Sequence, residues 1–287
     1  MPSTLDICRY PDVVAEAPPW IEQLLGWKPA TQKSRRGCEA LFDAAIAPNL
    51  ADMSSRASMH LAGYVYETLG IPKSRVRAAT PGEDNASSAS GTALERAIES
   101  DLREQLTLHD PDRTWLVTRT GTVADYVQYT HLNELQALLD KSPALRSTYA
   151  GDYQVKTDVY VGVENSAMED EEPYLHAAIS SKWTIRSDRV QNVRHEFGML
   201  VRNRRGRAPH LVLVTGEPLP SRLLSIARGT GEIDAVYHLL YDELDIAVSV
   251  LCGDGGLYSD QRAAWIEMAK QKRLKPYSSL VNDLILS

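Results

Sequence analysis

Between Tyr174 and Gly216 the spacing of apolar residues changes twice, and no other stretch limits the fold so tightly. "YLHAAISSKWTI" is a short apolar run of strand length. "RVQNVRHEFGMLVRNRRG" then places its apolar residues three or four apart, as one face of a helix requires. "HLVLVTG" returns to strand grammar and is apolar almost throughout, which suits an interior strand buried on both faces. Ser187 or Asp188 stands where a helix cap belongs, and Gly206 where the helix should end. A strand, a helix and a strand in succession call for an α/β layout. The order alone leaves the strand directions open.

The remaining segments extend this pattern. "WIEQLLGW", "CEALFDAAIA", "SRASMHLAGYVYETLG", "ALERAIESDLREQL" and "TVADYVQYTHLNELQALLD" read as helices, so residues 1–150 form a mainly helical N-terminal portion. In the fourth of these, Leu94, Ala97, Ile98 and Leu102 share the inner face. "ATPGEDNASSASGT", Ala79 to Thr92, reads as a polar loop. "YQVKTDVYVGV", Tyr153 to Val163, alternates and reads as a strand, and the acidic "ENSAMEDEEP" after it as a solvent-facing loop. "PSRLLSIARG", "IDAVYHLLY" and two C-terminal helical patterns complete the layout. One domain over 1–287, a central mixed sheet flanked by helices, is the simplest architecture, with a core at 151–240 and C-terminal helices over 241–287.

No apolar run reaches membrane-spanning length, and the N-terminus lacks a signal-peptide pattern. Cys8, Cys38 and Cys252 offer neither a disulfide framework nor a zinc spacing, which points to a reducing cytoplasm. The net charge of −7 argues against a polyanionic partner until its distribution is read. From Ser181 to His210 eight basic residues face two acidic ones, a local field suited to a polyanion and equally to a solvated helix face.

The chemistry concentrates in "ISSKWTIRSDRVQNVRHE", Ile179 to Glu196. Asp158 sits among valines of one strand and Lys182 closes the next, and charges so placed need a partner or a ligand. A salt bridge between strands would satisfy them. So would a nuclease site, in which a strand aspartate holds a divalent metal and a lysine positions water against an anionic phosphodiester. The usual second carboxylate, two before the lysine, is here Ser180. Glu196, seven residues beyond Arg189 on the helix, returns to nearly the same face and supplies a displaced acid. At the helix start, Arg186 and Arg189 suit guanine O6 and N7 while Asp188 suits the cytosine amino group. Asp188 as a simple cap is the plain alternative. A lone "RGTGEID" suggests a phosphate loop but lacks the strand–turn–helix setting.

"LHAAISSKWTIRSDRVQNVRHE", "LVRNRRGRAPHLVLVT", "EPLPSRLLSIARGTGEIDAVYH" and "YTHLNEL" resemble the NgoMIV-type type II restriction endonucleases, the CCGG-core group of the PD-(D/E)XK nucleases. The resemblance is dense from Asp158 to His238 and traceable back to Asn49. It implies a restriction-endonuclease-like fold and a strand Asp, a Ser-x-Lys and a helix Glu at Asp158, Ser180 with Lys182, and Glu196. It further implies the Ser181 carbonyl as a metal ligand, beside Asp158 and Glu196, and Glu95 as a supporting acid. Arg186, Asp188 and Arg189 become readers of the core, Asp52 and Ser54 contacts to the outer base pair, and Arg222 a backbone contact. The implied activity is Mg2+-dependent cleavage of double-stranded DNA at GCCGGC after the first G, with two Mg2+ per active site. The implied assembly is a homotetramer, a dimer of dimers, in a bacterial cytoplasm. Two features depart from the family: the loop between the Asp and Lys strands is shorter, and Ser88 replaces a minor-groove glutamine. A DNA-binding protein that no longer cuts is the alternative on the same scaffold.

Overall fold

Nine residues of β5 carry seven consecutive buried positions, and a strand buried on both faces belongs inside a sheet. The computed structural model describes residues 17–77, 86–148, 155–164, 172–229, 231–253 and 256–287, and the side chains of 86–90, 148 and 187–189 lie outside it. In chain order its N-terminal elements are α1 (Ile21–Leu24), β1 (Trp27–Pro29), α2 (Arg35–Phe42), β2 (Ile46–Pro48), α3 (Arg56–Thr68) and α4 (Ala86–His109). Next come β3 (Trp115–Thr118), α5 (His131–Lys141), α6 (Pro143–Thr148), β4 (Val159–Val163), β5 (Tyr174–Lys182) and α7 (Ser187–Asn203). The chain continues through β6 (His210–Thr215), α8 (Pro220–Ala227), β7 (Ala235–His238), α9 (Tyr241–Leu251), α10 (Ser259–Lys270), β8 (Leu274–Pro276) and α11 (Leu280–Leu286).

Strands β3 to β8 form one six-stranded sheet in sequence order. The β3–β4 and β4–β5 pairs are antiparallel, and β5–β6, β6–β7 and β7–β8 are parallel. Parallel neighbours need crossovers, which α7, α8 and the successive helices α9 and α10 provide. Lys182, Thr215, His238 and Pro276 therefore lie in register across the C-terminal ends of four parallel strands. Long α4 packs along β3, β4 and β5, and Leu94, Ile98, Leu102 and Leu106 are fully buried there. The N-terminal portion packs α3 on α9, and its Trp27 sits edge-on to Phe42 and Tyr66. Buried side chains of this portion and of the sheet belong to one hydrophobic cluster.

Several sequence expectations need correction. The helix in "WIEQLLGW" stops at Leu24 because Trp27 enters a two-stranded sheet with Pro48. "CEALFDAAIA" stays helical only to Phe42; Asp43 takes a left-handed conformation (φ 54°), and Ile46–Pro48 is that second strand. In "TVADYVQYTHLNELQALLD" the α-helix covers only His131–Lys141. The Asp125 carboxylate accepts the Thr122 N–H at 2.6 Å, closing a short 3-10 turn, and Tyr126 is extended. The polar stretch from Ala79 contributes the start of α4 at Ala86, while 79–85 lies outside the described residues. Asp158 precedes β4 rather than lying within it, and Tyr153 and Gln154 are outside the described residues, as is 165–171 of the acidic loop. The residue flanking the start of α7 is extended Arg186, neither Ser187 nor Asp188. The C-terminal 241–287 contains the edge strand β8 as well as helices.

Candidate active site and DNA-reading cleft

Antiparallel pairing of Val159 with Ile179 brings the residue just before β4 across from the last residues of β5. Asp158 thereby meets Ser180, Ser181 and Lys182. Its Oδ2 accepts the Ser181 N–H at 2.7 Å, the Lys182 Nζ at 2.7 Å and the Ser180 hydroxyl at 3.2 Å. Ser180 and Lys182 point to the same face of the strand, as a period of two requires. Glu196 reaches this cluster from α7, whose Val193, Phe197 and Leu200 anchor the helix on the sheet. Burial raises the Glu196 carboxyl; Lys182 pulls it down and Asp158 pushes it up again. Two carboxylates that repel one another around a lysine are an arrangement a cation relieves.

A second constellation lies beyond the ends of β5 and β6. Arg186 precedes α7, more than half exposed, with a guanidinium nitrogen 3.9 Å from Asp52 Oδ1. Arg222, on the first turn of α8, donates to Asp52 Oδ2 at 2.6 Å. Ser54 donates to Asp52 Oδ1 through its N–H at 3.0 Å and its hydroxyl at 2.7 Å. Burial alone would raise the Asp52 carboxyl, but the bonds from Arg222 and Ser54 outweigh it and hold it well below the usual carboxylate range. These groups line a cleft of about 920 Å³ together with Lys28, Lys33 and Ser34. Lys28 donates to the carbonyls of Ala51 at 2.9 Å and Asn49 at 3.2 Å, which steadies the segment carrying Asp52.

The expected site residues thus fall into two groups joined by the five residues from Lys182 to Arg186. Asp158, Ser180, Ser181, Lys182 and Glu196 come together, and so do Asp52, Ser54, Arg186 and Arg222. Glu95 is set apart: it pairs with Arg119 at 3.0 Å, one residue past β3. Asp188 and Arg189 stand on the first turn of α7, but their side chains, like that of Ser88, lie outside the described residues. Sequence reasoning missed Arg119, Lys28 and Glu217. Only Glu217 left a trace, as an acid directly after the apolar run "HLVLVTG".

No group of three or more His, Cys, Asp or Glu able to hold a metal occurs among the described residues. Asp158 and Glu196 nonetheless offer carboxylate oxygens, the hard donors that divalent cations of the Mg2+ and Ca2+ kind take.

A mixed sheet of this topology, helices on its faces, is the restriction-endonuclease-like fold. The family model for the NgoMIV restriction enzyme matches residues 33–172 and 164–286. The type II restriction enzyme NgoMIV of Neisseria gonorrhoeae is 40% identical over 198 residues, spanning 59% of this chain and 68% of that protein. The chain belongs to the NgoMIV restriction enzyme family and is a type II site-specific deoxyribonuclease. DNA is accordingly its partner, and type II restriction enzymes generally use a divalent metal. No helix among the described residues is long and apolar enough to cross a membrane.

Proposed function

We propose that this enzyme cleaves double-stranded DNA at GCCGGC after the first G, leaving a 5′-CCGG overhang. Asp158, Glu196 and the Ser181 carbonyl would hold Mg2+, two ions per active site. Such an ion neutralises phosphate charge and acidifies a water. Lys182, held at 2.7 Å by Asp158, orients the attacking water and donates toward the charge that develops on phosphorus. Ser180 supports the same Asp158 oxygen. Glu95, which pairs with Arg119, would be a supporting acid. Arg186, Asp188 and Arg189 read the G·C pairs of the core, Asp52 and Ser54 face the outer pair, and Arg222 meets the backbone. We further propose that the chain is one nuclease domain and works in the cytoplasm as a homotetramer, two dimers that engage two sites at once.

The observation that carries this reading is the short link between the two groups. Lys182 ends β5 and Arg186 borders α7, so the stretch that would read bases is continuous with the one that would cut. The test is digestion of plasmids carrying zero, one or two GCCGGC sites, with Mg2+ and with a chelator. Discrete fragments only where sites exist, lost on chelation, support the assignment; random nicking sinks it. A faster rate on two-site plasmids supports the tetramer.

A further inference from the structure

Glu217 is a fully buried acid in the connection that follows β6, and the proposed chemistry makes no use of it. Its Oε2 accepts the Ile185 N–H at 2.6 Å, and its Oε1 accepts the Leu219 N–H at 3.0 Å. Ile185 directly precedes Arg186, and Leu219 directly precedes α8, which carries Arg222. Arg222 lies 3.7 Å from Glu217 Oε2 and also binds Asp52, whose other oxygen faces Arg186. The contacts close a ring: Glu217 to the Ile185–Arg186 link, on to Asp52, to Arg222 and back.

The backbone of Glu217 is fixed as firmly as its side chain. Its N–H donates to Thr215 Oγ1 at 3.2 Å. His238 Nδ1 accepts the Leu240 N–H, so Nε2 carries the proton and donates to the Glu217 carbonyl at 3.1 Å. Burial holds His238 neutral, lowering it to about 4. Burial likewise pushes Glu217 up to about 7, against the Ile185 N–H, Arg222 and the Leu219 N–H, which lower it, while Asp52 adds a small upward push. An apolar side chain would fill this volume without the desolvation cost, but could not accept two N–H groups from two different connections.

We propose that Glu217 is a positioning residue for base reading, setting where Arg186 and Arg222 stand against the DNA. This rests on the reading of Arg186 as a base contact. Glu217→Gln keeps the shape but offers one oxygen for two N–H donors, so one anchor is lost.

The experiment measures single-turnover cleavage of a GCCGGC duplex and of duplexes altered at one base pair, for wild type, Glu217→Gln, Arg186→Ala and the double variant. Thermal melts run alongside. Glu217→Gln is expected to melt cooperatively and to lose discrimination between the duplexes by about tenfold, the scale of one charge-assisted hydrogen bond. The double variant should lose little more than Arg186→Ala alone, because both changes act through one group. Unchanged discrimination, or equal slowing on all duplexes, would overturn the proposal. If wild type itself does not discriminate, or Arg186→Ala discriminates normally, the base-reading assignment fails instead. Should the glutamine variant not melt cooperatively, Glu217→Asp carries the same test, since its shorter carboxylate cannot span both N–H groups.

Discussion

Replacing Lys182 with alanine should separate catalysis from binding and from folding. The ammonium is 2.7 Å from Asp158 Oδ2, and the two side chains are 26% and 23% exposed. A pair that wet contributes at most about 1 kcal/mol to stability. Asp158 keeps the Ser181 N–H and the Ser180 hydroxyl, so no buried charge is stranded. Cleavage is another matter. A positioned cationic donor aimed at developing charge is worth about 10²–10³ in rate, and orienting the attacking water adds to it. The variant should therefore cut at least about 10³-fold more slowly, some 4 kcal/mol of barrier. Single-turnover cleavage of supercoiled plasmid gives the rate, gel shift the specific binding, and urea midpoints the stability. A rate within tenfold of wild type would refute the reasoning and leave Lys182 as an ordinary salt-bridge partner.

Glu196→Gln should likewise abolish cleavage while keeping specific binding, and calorimetric titration should show weakened Mg2+ uptake; normal uptake would remove Glu196 from the metal site. Glu217 should make stability depend on pH in the opposite sense to an ordinary paired carboxylate. Its folded pKa of about 7 lies above the ordinary 4.5, so between those values the folded state holds a proton that the unfolded state has lost. Stability should thus fall as pH rises through this window, by on the order of 3 kcal/mol, and urea midpoints of Glu217→Gln should lack that slope. Asp52 acts in the opposite sense. Its depressed carboxyl stabilises above the ordinary 3.8, and this is lost as pH falls below it. Asp52→Asn should cost about 2 kcal/mol at pH 6, and its deficit relative to wild type should shrink in acid denaturation below pH 3.8.

Much of the candidate site was legible because it lies in one local stretch. A lysine closing an apolar strand, an Arg-Ser-Asp-Arg at the helix start and a glutamate at helical spacing are properties of spacing alone. The long elements were legible for the same reason: in α7 the apolar period is the buried face, with Val190, Val193, Phe197 and Leu200 inside. Short elements were not. β1, β2, β3 and β8 are three or four residues long, too brief for a period to emerge, and their pairing partners decide them.

The sequence by itself determined that Lys182 ends a strand, that Arg186 stands before a helix and that Glu196 lies on that helix, since backbone periodicity and side-chain chemistry are local. Only the tertiary structure decided what stands around them. Antiparallel pairing of β4 set Asp158 against Lys182, parallel pairing of β5 with β6 set Thr215 beside it, and pairing of β6 with β7 set His238 one strand further on. Asp52 lies 170 residues before Arg222, yet meets it because α3 and the sheet share one core. Glu217 left only its place after an apolar run in the sequence; its contacts belong to that second class. Its hold on Ile185, 32 residues earlier, comes from the parallel pairing of β5 with β6, which sets the two connections side by side.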